Sequence, residues 1–304
     1  MSHTKLPSGV IKEDSPGGTP ALASLTIHAS RRPGFWIAGS LCLALVLLIG
    51  YTLITNDRFR WNVVFSFLFD PRILAGLGLT LMLTFVCMII AFLLGTLLAV
   101  MDSSHNPFVR GIAQTYLWVF RGTPVLVQLL LWFNLGALFP VIGVPGTVFA
   151  WSANDLISPL SAAILGLALN EAAYMAEIIR SGLNSVDAGQ REAAQALGMK
   201  STLSFRRVVL PQAMRVIVPP AGNEAISMLK YTSLVSVIAL PELLYSAQLI
   251  ASKNFQIIPM LLVATIWYLA TTSVLSVIQR RIEVRLSRGV ARTAVQSKAK
   301  GKRT

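Results

Sequence analysis

The sequence predicts an all-α protein, a polytopic membrane helical bundle, and three observations carry that reading. Of 304 residues, 54% are hydrophobic and only 13% charged, with a mean hydropathy of +0.66, which is far too apolar for an ordinary soluble domain. The apolar residues gather into six runs, each long enough for the roughly 20 residues that carry a helix across a bilayer. Finally, 26 Lys+Arg stand against 13 Asp+Glu, and the basic residues concentrate in alternate connections between the runs.

Taken in order, residues 1–34 are polar and rich in Ser, Pro and Gly, with no apolar run behind a basic start and no small-residue cleavage pattern. That predicts a disordered tail and not a signal peptide. Residues 35–72 hold a first span, at about 35–55, and a loop. The body, residues 73–280, carries five more spans at about 73–101, 112–139, 156–179, 225–250 and 258–279, divided by polar or Pro/Gly-bearing connections. A basic tail, 281–304, closes the chain. No repeat of 20–50 residues is visible.

Orientation follows from the cations. If both termini share one side, that side holds 20 basic residues, and the opposite loops hold only Arg58, Arg60, Arg72 and Lys253. The positive-inside rule then predicts both termini and the 180–220 loop in the cytoplasm. The same placement absorbs the basic surplus, so no nucleic-acid partner is expected. Membrane lipid is expected as a neighbour, since a basic residue near an anionic surface gains about 1 kcal/mol. Cys42 and Cys87 fall inside apolar runs and read as packing, and His3, His28 and His105 lack partners at ligand spacing, so no metal site is predicted.

The 180–220 loop is much longer than the roughly 2–8 residues a bundle connection needs. It requires structure of its own. Asp187 is placed to cap a helix, with Gln190 three residues on, and the stretch from Arg191 to Leu197 favours helix up to Gly198, a C-terminal stop. A second short helix is expected after Ser201, ending at Pro211. Two short helices meeting at a glycine make a knob, and Ala193, Ala194, Ala196 and Leu197 give it a small, smooth face for a partner protein.

Within this loop, Glu192-Ala193-Ala194, then Gly198, then Val208 and Leu210-Pro211 resemble the cytoplasmic-loop signature of ABC-importer permeases. The likeness extends over most of 73–280 and is to the polar amino-acid uptake branch, through Arg121-Gly122-Thr123-Pro124, Tyr174, the stretch from Ala176 to Arg180, and the stretch from Leu229 to Leu234. It implies a five-helix importer core with one added N-terminal helix, in a bacterial inner (plasma) membrane. It also implies the partners: a dimer of ATP-binding subunits docked at the loop through Arg191, Glu192, Ala193, Ala194, Gly198, Leu210 and Pro211, an extracytoplasmic amino-acid-binding protein, and a second copy or a sister permease. ATP and Mg would belong to the partner ATPase. No G-x-x-x-x-G-K-[ST] phosphate loop occurs in the chain, so a transport subunit is expected and not an enzyme, with no cofactor of its own.

Charges at membrane depth cost roughly 2.5–3.5 kcal/mol on insertion scales, so those present are candidates for a bundle interior or a transport pathway. Arg121 precedes Gly122-Thr123-Pro124, where Pro124 removes a helical bond; a structural break and a transport role both stay open. Asn170, Glu171, Tyr174 and Glu177 have helical spacing on one span. Glu171 reads as substrate contact or as interhelical pairing. Lys230, before Thr232 and Ser233, reads as a countercharge for a substrate carboxylate, aided by helix-end N–H groups at a break near Thr232, or as an ion pair with Glu171 or Glu224. Tyr231 departs from the branch, which usually has an acidic or small polar residue there; this shifts the expected substrate from arginine or lysine toward a neutral, acidic or bulky amino acid. The rival reading is a secondary transporter or channel working without an ATPase.

Overall fold

The computed structural model describes residues 33–143, 150–153 and 157–287. The predicted tails at 1–32 and 288–304 lie outside these. The chain divides into two units, residues 1–56 and 57–304. The described residues of the first hold α1 (Pro33–Thr55), apolar on every side and exposed from Ile37 to Thr55 except for the half-buried Gly50. A helix apolar all round suits a bilayer as solvent.

The second unit begins with a 3₁₀ turn, Asp57–Phe59, and continues through α2 (Trp61–Phe67), α3 (Pro71–Asp102), α4 (Pro107–Gly122), α5 (Val125–Phe133) and α6 (Leu135–Leu138). A small antiparallel ribbon follows, β1 (Val141–Gly143) against β2 (Ala150–Ser152), with Ile142 opposite Trp151. Then come α7 (Pro159–Asn184), α8 (Ala188–Ala196), α9 (Ser201–Ser204), α10 (Leu210–Tyr231), α11 (Leu243–Asn254) and α12 (Ile257–Ser287). The all-α expectation holds, the ribbon being its one small addition among the described residues.

Among the described residues four helices, including α1, are long and apolar enough to cross a membrane, or up to six spans if each of two bent pairs is one crossing. The first pair, α4 and α5, turns through 102° at Thr123–Pro124; the second, the helical stretch 201–238 and α11, through 44°. The expected third span over 112–139 is therefore the bent pair α4 and α5 followed by the short α6. The expected start of the fifth at 225 is also corrected: α10 runs from Leu210 straight through Pro219 and Pro220. Pro219 and Pro220 withdraw the helical N–H partners of the Arg215 and Val216 carbonyls, which helix interiors at membrane depth tolerate, and Gln279 of α12 ties the same stretch to its neighbour by donating to the Pro219 carbonyl at 3.2 Å. At the far end α12 continues to Ser287, seven residues past the expected boundary at 280.

α7 is the most buried of the four long helices and forms the central rod. Its alanines, among them Ala162, Ala163, Ala172 and Ala176, are fully buried. Such small residues let helix backbones approach closely, which is how helices associate where lipid removes the hydrophobic drive. Against α3 the fit is tight: a Cβ on Gly95 would come within 2.9 Å of the Met175 Cβ. A separate cluster ties α2, α3, α11 and α12 together through Val64, Ile73, Ala247 and Met260, with Trp267 donating to the Leu68 carbonyl at 2.7 Å.

Candidate functional site

Two regions hold the predicted site residues, and α10 joins them. The knob starts where Asp187 accepts the Gly189 N–H at 2.7 Å and opens α8. The other half of the expected capping box is absent from its usual place, since the Gln190 side chain bonds Gln212 at 3.4 Å. At the far end Gly198 has φ +73°, its N–H bonds the Gln195 carbonyl at 2.9 Å, and the Met199 N–H bonds the Ala194 carbonyl at 3.1 Å. This pair of bonds is the Schellman stop, which wants glycine because a Cβ is strained in the left-handed region. Glu192, Ala193, Ala196, Leu197 and Pro211 are exposed, Leu197 at 83%, whereas Ala194 is buried and fastens α8 down. Arg191 is turned back, donating to the Leu183 carbonyl at 2.8 Å.

The second short helix does not end at Pro211. α9 passes through a π turn, Phe205–Val209, in which the Leu210 N–H bonds the Phe205 carbonyl, and continues as α10. Pro211 follows the π turn directly and is carried as an interior proline of this continuous helix. The knob is thus continuous with a membrane-depth helix.

That helix lines a cleft of about 450 Å³ with Glu224, Ser227 and Tyr231, facing Arg121 to Val125 from the α4/α5 break and Asn170, Glu171 and Tyr174 from α7. The break has a clear cause. Pro124 cannot donate to the Phe120 carbonyl, and that oxygen receives Asn170 at 2.8 Å and Gln128 at 3.0 Å instead. Gln128 also takes the Thr123 carbonyl, and its own oxygen receives Asn170 at 3.2 Å. Asn170 therefore supports the break. Arg121 is held by Glu177 at 3.3 Å and lies 5.8 Å from the centre of the Tyr174 ring, while Glu177 also accepts from Arg180. Glu171 differs: it is 2% exposed, lines the cleft, and its Oε1 has no hydrogen-bond partner among the described residues.

Lys230 is exposed, is not among the residues lining this cleft, and makes no ion pair among the described residues, so the alternative of pairing with Glu171 or Glu224 is not realised. Thr232 and Ser233 turn their hydroxyls back onto the Leu229 and Lys230 carbonyls at 2.8 and 2.6 Å. Nor does the chain free helix-end N–H groups near Thr232, because it tightens there into a 3₁₀ stretch, Thr232–Ile238, with the Thr232 N–H already bonded. The free helix start lies at α11, and Glu242 fills it, accepting the Leu244 and Tyr245 N–H groups at 3.0 and 2.8 Å, the Tyr268 hydroxyl at 2.8 Å and the Thr80 hydroxyl at 3.4 Å. Sequence reasoning passed over Glu242, Gln128 and Glu224 as site residues. An acidic residue after Pro241 and before an apolar run was the readable signal for Glu242.

Residues 91–288 match the family of binding-protein-dependent transport system inner membrane components. The arginine transport system permease protein ArgU of Corynebacterium glutamicum is 46% identical over 86% of this chain and 83% of its own length. The nopaline transport system permease protein NocM of Agrobacterium fabrum is 41% identical over 68% and 84%. Among solved structures, a crystal structure of an amino acid ABC transporter with histidines superposes with TM-score 0.61 at 38% identity, covering 71% of this chain and 95% of that one. An inward-facing MetNI methionine ABC transporter, at 18% identity and TM-score 0.53, shares the fold. The chain therefore belongs to the binding-protein-dependent inner membrane components and is a membrane-spanning permease subunit of an ABC importer.

Proposed function

We propose that this permease carries polar amino acids inward across a bacterial inner membrane by alternating access, driven by a dimer of ATP-binding subunits that grips the knob at residues 187–211. In this reading both termini and the knob face the cytoplasm, ATP and Mg stay on the ATPase, and an extracytoplasmic binding protein delivers substrate to a pair of permease subunits. The observation that carries it is the unbroken path from the exposed knob through the π turn into α10, whose Glu224, Ser227 and Tyr231 line the cleft. A displacement of the knob by the ATPase moves the wall of the cleft, because helices transmit such motion as rigid rods and packed interfaces favour discrete arrangements.

The cleft's charge bears on the substrate. Arg121 is engaged by Glu177, and Lys230 is not among the lining residues, which leaves the carboxylates of Glu171 and Glu224 facing the space. A substrate ammonium, on the α-carbon or on a side chain, supplies the missing partner. This weighs more than Tyr231 does, and it restores cationic amino acids to the candidates, in keeping with the arginine permease among the relatives. The test is uptake of labelled arginine by proteoliposomes holding the permease, its ATPase and its binding protein. ATP-dependent uptake lost in Gly198→Asp together with ATPase co-purification supports the reading. Uptake by the permease alone, without ATP, contradicts it.

A further inference from the structure

At the end of the bundle away from the knob, α3 and α11 run antiparallel and leave a trough between them. On α3 it is lined by Arg72, Ala75, Gly76 and Leu79, and on α11 by Ser246, Leu249, Ile250 and Lys253, with Pro241 at its inner end. Each set follows the i, i+3, i+4, i+7 spacing of one helix face, so each wall runs about 10 Å along its helix at 1.5 Å per residue. The floor is formed where the backbones touch: a Cβ on Gly76 would fall within 2.9 Å of the Glu242 carbonyl oxygen. The volume is about 440 Å³. Leu249 is 42% exposed and Ile250 is buried, so the interior is apolar and open on one side.

Two cations line the trough, one from each helix. Arg72 lies in the first turn of α3, Lys253 in the last turn of α11. Of the four basic residues on this end of the chain, these two converge on one trough. Asp70 is the acidic neighbour: it takes Nε of Arg72 at 2.9 Å and one Nη at 2.8 Å. The bond from Arg72 holds the Asp70 carboxyl below its usual range, so this pair stays ionised at neutral pH. A guanidinium has five N–H donors, so Arg72 keeps others for a second acceptor, and its side chain is 56% exposed. Lys253 has no ion pair among the described residues. The trough therefore combines a net positive charge with an apolar channel.

We infer that the α3/α11 trough binds one phospholipid with an anionic headgroup, its phosphate between Arg72 and Lys253 and an acyl chain along Ala75, Leu79 and Leu249. The chemistry selects this occupant. A soluble protein docking at the bundle end would meet the two cations, but it would have no use for an apolar channel that descends two helical turns into the membrane. A zwitterionic lipid would fill the channel without answering the net charge.

Native mass spectrometry of the complex of permease and ATPase, purified from vesicles of mixed phosphatidylglycerol and phosphatidylcholine, reads the site directly. The wild type is expected to retain phosphatidylglycerol in preference. Arg72→Gln with Lys253→Gln should lower the retained ratio of the two lipids roughly thirtyfold, as removal of two near-surface cations implies. Ala75→Trp keeps both cations and fills the channel, and it should lose both lipids. The inference is overturned if both variants retain phosphatidylglycerol like the wild type, or if the wild type shows no preference. It is also overturned if lipid retention is unchanged while binding-protein stimulation of ATPase activity disappears in the double variant, which would give the surface to a protein partner.

Discussion

The two bent spans break in opposite chemical senses. At Thr123–Pro124 the helix loses a donor, so carbonyls are left over, and side-chain amides come to meet them: Gln128 on Phe120 and Thr123, Asn170 on Phe120. At 239–242 a helix starts inside the bundle, so N–H groups are left over, and a carboxylate meets them: Glu242 on Leu244 and Tyr245. In water either set could be solvated. At membrane depth each needs a protein partner, and the sign of the leftover group selects the residue type. The first break opens onto the cleft and has Glu171 beside it with an unpartnered oxygen. The second is closed, with Glu242 and Thr80 fully buried and Tyr268 bound to Glu242. One break is open to a ligand and the other is a rivet.

If that contrast is right, the closed break is the more damaging to disturb. Glu242→Ala removes a fully buried carboxylate and strands two backbone N–H groups and two hydroxyls that are buried or half-buried, and should lower stability by about 3 kcal/mol, read as the largest fall in melting temperature of the detergent-purified complex. Glu242→Gln, which keeps one acceptor oxygen, should recover part of the loss. At the open break Gln128→Leu frees the Thr123 carbonyl and halves the service to Phe120, costing about 1–2 kcal/mol in the same assay. Asn170→Leu costs less, about 1 kcal/mol, since Gln128 still reaches the Phe120 carbonyl. Equal losses from all three would erase the distinction between the breaks.

The contrast also explains what could be read from the chain beforehand. Membrane character, the span that α7 forms and the knob were legible because they rest on local signals: apolar run length, and a capping residue ahead of a glycine stop. Asp187 and Gly198 act as their spacing predicts. The partners of the breaks were not legible in the same way. Asn170 reaches a carbonyl 50 positions away and Thr80 a carboxylate 162 positions away, and no periodicity encodes such meetings. Lys230 misled for a related reason. Its charge suggested an interior role, but its register on α10 leaves it exposed, while Glu224, two helical turns earlier, lines the cleft. Pro211 was read as a stop, and the π turn before it carries the helix through.

The central claim is that the knob and the cleft are one mechanical body joined by α10. Ser227, on α10 and in the cleft, is the place to watch it, in a chain with Cys42→Ser so that the buried Cys87 is the only native thiol. The measurement is the rate of thiol labelling of Ser227→Cys in the complex with its ATPase, with and without ATP. The account predicts a rate that changes severalfold on ATP binding and a change that vanishes in Gly198→Asp, where the knob's stop is broken. An ATP-dependent change that persists undiminished in Gly198→Asp, or that never occurs in the intact complex, contradicts it.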